Sequence, residues 1–113
     1  MSVIVVLTNL PDSDSAFNLG RQLVEDGLAA CANVLAPVRS VYRWQGQVEQ
    51  TDEVPLLIKT TSERYAAVEQ AIRLRHPYEL PEIIALPVEK GLPAYLDWVL
   101  AQCDPAPAAG GNP

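Results

Sequence analysis

The only histidine of this 113-residue chain, His76, opens the stretch HPYELPEI (residues 76–83), which also holds Glu79 and Glu82. An imidazole beside carboxylates can ligate a metal, act as a general base, or form the polar end of a helix. One histidine with no nearby cysteine does not make a closed zinc site, which generally takes four Cys or His ligands, so a metal here would need an open site shared between subunits. A second group lies upstream. Strand alternation puts Glu53, Leu57 and Lys59 on one face, and the hairpin register described below adds Tyr42 and Trp44 to it. Opposite charges beside two aromatics fit the lining of a small pocket, and equally an ion pair at a subunit interface. No nucleophile motif such as GxSxG and no phosphate-cradling GxGxxG or GxxxxGK pattern is present, so the sequence gives no sign of an enzyme.

The elements that must position these residues form one domain over residues 1–103. Hydrophobic residues make up 49% of the chain, enough for a core. A net charge of −6 argues against nucleic-acid partners, which require a basic face. Met1-Ser2 runs directly into an apolar strand with neither a positive leader nor a run long enough to span a membrane, so no membrane partner is expected. Cys31 and Cys103 lie far apart in apolar surroundings and read as reduced thiols of a cytoplasmic protein.

Residues 3–9 suit a buried strand. A helix then follows, capped within Asp12–Ser15, with Ala16, Leu19, Leu23 and Val24 at helical spacing and Gly27 as its stop. CANVLAPVRSVYRW reads as one strand and QVEQTDEVPLLIKT as its partner, joined by a tight turn at Gln45-Gly46. That turn pairs Trp44 with Gln47, Tyr42 with Glu49 and Arg39 with Asp52, while Pro37 and Pro55 should mark a bulge or an edge. Ser62 is the expected cap of a second helix through about Arg75, with Tyr65, Val68 and Ile72 on one stripe and Ala67, Ala71 and Leu74 beside it. Pro77 ends it and leaves His76 at its C-terminus. Residues 82–88 make a further strand. Pro93 starts a short helix that turns Leu96, Val99, Leu100 and Cys103 to the core. The proline- and glycine-rich residues 104–113 can bury little and read as a flexible tail.

This order defines an α+β, ferredoxin-like (split βαβ) fold, an antiparallel sheet with two helices on one face and a short C-terminal helix. The other sheet face and the hairpin aromatics need cover, which points to association with further copies of the chain.

LAACANV (28–34), YRWQG (42–46), KTT (59–61), HPYELPEI (76–83) and YLDW (95–98) occur in an order and spacing that resemble the CutA divalent-cation-tolerance family from about residue 3 to 102. The resemblance implies a compact homotrimer, similar in architecture to the nitrogen-regulatory signal proteins that bind small effectors between subunits. It implies a role in the response to divalent metals, copper especially, and an intersubunit cleft built from Tyr42, Trp44, Glu53, Lys59, His76, Glu82 and Trp98. Some family members add a cysteine near the end of the first strand and a second histidine before HPY. Those positions are Thr8 and Arg75 here, leaving His76 as the metal ligand of that set. Two other functions fit the same resemblance: a sensor of a small molecule that signals to a partner protein, and a non-catalytic trimeric scaffold.

Overall fold

The computed structural model describes residues 2–103; the tail expected over 104–113 lies outside the described residues. The element order is β1 (Val3–Leu10), α1 (Ser13–Glu25), β2 (Cys31–Val34), β3 (Val38–Trp44), β4 (Gln47–Thr61), a 3-10 turn (Ser62–Arg64), α2 (Tyr65–Arg75), β5 (Ile84–Pro87) and α3 (Pro93–Gln102). The sheet runs β2-β4-β1-β5 with every pair antiparallel, and β3 pairs with the outer half of β4. This is the ferredoxin-like arrangement, its second strand broken in two. No helix of the described residues is long and apolar enough to cross a membrane.

The break falls at residues 35–37, where Pro37 has no N–H to donate. The single strand expected over 31–44 is therefore two: β2 pairs with Leu56–Lys59 and β3 with Gln47–Glu53. Pro55, by contrast, lies inside β4, opposite Asn9 of β1. Its missing donor falls in the gap between β2 and β3, and its carbonyl accepts from Leu35 N–H at 3.0 Å, so the chain changes partner where proline costs no ladder bond.

Gln45 (φ 51°) and Gly46 (φ 80°) both take positive φ, as a two-residue type I′ turn requires. The turn fixes the pairs Trp44↔Gln47, Tyr42↔Glu49 and Arg39↔Asp52, as the sequence predicts. α1 starts at Asp12, whose Oδ1 accepts from Ser15 N–H at 2.7 Å, and stops at Gly27 with φ 72°. Ser62 does not cap α2 with its side chain. A 3-10 turn leads into that helix instead, and Ser62 Oγ accepts from Ser2 Oγ at 3.1 Å.

One face of the sheet holds the core. Val6, Leu56 and Ile58 meet Ala16, Leu19 and Leu23 of α1 and Val68 and Ile72 of α2. Val24 and Leu74, expected beside these stripes, are exposed instead. Gly20 lets α1 close on the sheet, since a Cβ there would come within 2.9 Å of Ala32 Cβ. α3 covers the Val3 end, packing Val99 and Cys103 against Val3 and Ala30, with Leu96 and Leu100 beside them. The opposite face carries Val5, Leu7, Leu57 and Lys59, half-buried, and Ile84 and Leu86 at 47% and 55% exposure, and α3 packs only against its Val3 end.

Candidate functional site

β4 is long enough to serve two sheets. Residues 54–61 lie between β1 and β2, and residues 47–53 run on with β3 as a protruding hairpin. Glu53 stands where the two meet, on the hairpin face that also carries Tyr42, Trp44, Ser40 and Thr51. The loop from α2 to β5 faces them. It brings Tyr78, Glu79, Leu80 and Glu82 to the same place, enclosing a cleft of about 700 Å³.

Three contacts hold that loop. Pro77 drives His76 out of the helix into extended backbone (ψ 133°). The His76 ring accepts from Tyr78 N–H at Nδ1, 3.2 Å away, which leaves Nε2–H to donate to the Asn9 carbonyl at 2.6 Å. Asn9 Nδ2 in turn donates to Glu82 Oε1 at 3.0 Å, so the end of β1 grips the loop at both ends. With both ring nitrogens engaged, His76 offers no lone pair to a metal.

The cleft is anionic and aromatic, with no Lys or Arg in its lining. Tyr78 is pushed up to about 12, first by burial, then by the charge of Glu53 and the hydrogen bond to it, with smaller effects of Tyr42 and Asp12. Its phenol stays neutral beside the carboxylate.

Of the residues expected to form the cleft, Tyr42, Trp44, Glu53 and Glu82 come together, while His76 acts behind them as a brace. Glu82 sits in the loop rather than at the start of β5. Lys59 shares the face of Glu53, but six residues along a strand, roughly 20 Å away. There Lys59 Nζ donates to Asn33 Oδ1 at 2.7 Å. Trp98 lies on α3 beside Tyr95, ring centroids 5.6 Å apart, at the Val3 end. Within one subunit neither reaches the cleft. Tyr78, missed from sequence, carries the plainest signal in hindsight, because it follows the helix-ending proline inside the motif that holds His76. Thr8 is fully buried in β1, and Arg75 is exposed on the last turn of α2. Among the described residues no three His, Cys, Asp or Glu side chains converge closely enough to hold a metal ion, so one subunit does not fit such a group.

A ferredoxin-like sheet with a protruding hairpin and a cleft at its root defines a class of small α+β proteins. The sequence places it more narrowly: residues 4–102 match the CutA1 divalent ion tolerance protein family, and the chain belongs to it. It is 42% identical over 95 residues to the divalent-cation tolerance protein CutA of Thermus thermophilus, covering 84% of this chain and 92% of that one. It is 43% identical over 98 residues to the longer CutA homolog of Xenopus laevis, covering 87% of this chain and 65% of that one. The crystal structure of CutA from Xylella fastidiosa superposes with a TM-score of 0.88 at 42% identity, over 92% of this chain and all of that one.

Proposed function

We propose that this protein acts in divalent-cation tolerance as a non-catalytic, cytoplasmic homotrimer, and that the cleft at the hairpin root is its ligand site. Family membership supports the role. The observation that carries the site is the buried Glu53 carboxylate, held between the hairpin aromatics and the loop that His76 braces. Cys31 and Cys103, both thiols, fit a reducing compartment.

Copper, the metal that the sequence resemblance brings forward, would need carboxylates from more than one subunit, because among the described residues no set of ligands converges within one. Calorimetric titration of copper into wild type, His76→Ala and Glu53→Gln, with mass followed by light scattering, tests this. The reading expects Glu53→Gln to bind least and His76→Ala, whose cleft loop has lost its brace, to bind somewhat less than wild type. Copper uptake that depends on His76 and not on Glu53 would move the site away from the cleft.

A further inference from the structure

Glu53 and Lys59 stand on the same face of β4, the face turned away from the core, six residues or roughly 20 Å apart. Within one subunit they cannot meet. Lys59 is half-buried, and its Nζ donates to Asn33 Oδ1 at 2.7 Å, a neutral partner that engages one of its three N–H groups. Glu53 is 8% exposed and has the Tyr78 phenol, likewise neutral, as its hydrogen-bond partner.

The distribution of charge over the sheet singles out these two. Of the eight lysines and arginines, Lys59 alone stands on that strand face; the others lie on α1, on α2, in the 3-10 turn, on the far side of the hairpin and in the loop before α3. Around Lys59 the face is apolar, with Val5, Leu7, Leu57 and Leu86, surface that the homotrimer proposed above would bury. Burying it takes the ammonium out of water, and an ammonium among valines and leucines needs an anion. In a cyclic trimer each interface joins two different patches of the chain, so a residue of one patch in each copy meets a residue of the other patch in the next. The hairpin projects beyond its own sheet and carries a withdrawn carboxylate at its root; the sheet face carries the cation.

We propose that the hairpin root of one copy docks on the sheet face of the next, so that the partner subunit's Lys59 pairs with Glu53 and completes the cleft. The inference rests on the homotrimer proposed above and names the charge pair that joins its subunits. A ligand that reaches Glu53 then touches two copies of the chain.

Trimer dissociation in urea, followed by sedimentation at constant ionic strength, tests the pair in wild type, Glu53→Gln, Lys59→Met and the double variant. Glutamine keeps an acceptor for the Tyr78 phenol and methionine keeps the apolar stem, so both spare the subunit fold. Each single change should weaken association by about tenfold or more per interface, as loss of a close charge pair across an interface does, and the double variant should be no weaker than the weaker single one. Lys59→Arg, which keeps the charge, should hold the trimer. Glu49→Gln, at an exposed position on the same hairpin face, should act independently of Lys59→Met. Additive losses at Glu53 and Lys59, a loss with Lys59→Arg as large as with Lys59→Met, or coupling of Lys59 to Glu49 in place of Glu53 would overturn the pair. A wild type that sediments as a monomer would remove the trimer itself, whereas a trimeric wild type with additive losses removes this pair alone and leaves the assembly and the cleft standing.

Discussion

With Nε2–H donating to the Asn9 carbonyl and Nδ1 accepting the Tyr78 amide, the His76 imidazole ties the end of β1 to the loop that carries the cleft glutamates. Removing it leaves a part-buried carbonyl and an amide without partners. His76→Ala should therefore cost about 1–3 kcal/mol in denaturant unfolding. Thr8 makes the converse case: its Oγ1 is buried without a hydrogen-bond partner, so Thr8→Val, which keeps the shape and removes the hydroxyl, should raise stability by about 1 kcal/mol. An unchanged or lower melting temperature would mean that the hydroxyl is satisfied in solution. Tyr78 ties stability to pH. Its pKa is raised from 10.0 to about 12 in the folded protein, so the stability it contributes is complete below pH 10 and is lost as pH rises towards 12. Ultraviolet titration should show one phenol ionising near 12 that Tyr78→Phe removes; all four tyrosines ionising together near pH 10 would contradict the contact with Glu53.

Among the elements, those fixed by local chemistry were readable in the sequence. Gly27 and Pro77 stop their helices through backbone constraints on one residue each, and Gln45-Gly46 sets the hairpin register from its two positive φ angles. Features set by distant partners were not. The break between β2 and β3 depends on how Pro37 and Pro55 share one gap across two strands, and the entry to α2 became a 3-10 turn although Ser62 is a good cap type. The candidate site divided in the same way: Tyr42, Trp44 and Glu53 followed from alternation, whereas the positions of Lys59 and Trp98 depend on the length of β4 and the docking of α3. Gly20 tests a constraint of the distant kind. Alanine is the better helix former by about 1 kcal/mol, yet its Cβ would meet Ala32 Cβ at 2.9 Å, and that atom belongs to a strand that cannot swing away. Gly20→Ala should lower stability, and adding Ala32→Gly should recover most of the loss in a double-mutant cycle. Additive losses would show that the two residues do not touch.

For the whole molecule, the uncovered surface sets the expectation. Ile84 and Leu86 stand exposed on the sheet face opposite the core, and the hairpin shows Val41 and Val48, 68% and 67% exposed, on the side opposite Tyr42 and Trp44. A two-stranded hairpin is marginal in water by itself, and this one carries apolar side chains on both faces. Both surfaces become stable if further copies of the chain bury them, as the proposed trimer would. Light scattering should then give about three times 12.3 kDa, and a monodisperse monomer would refute the assembly. The hairpin and the sheet face can be tested apart. Trp44→Ala should weaken the assembly by about 2 kcal/mol or more per site if the ring is an interface anchor, and Leu86→Glu should disrupt it by burying an unpaired charge. If only Leu86→Glu lowers the mass, the sheet face alone holds the copies together. Trp44 is then free to serve the cleft, and its fluorescence should respond to ligand without any change in assembly.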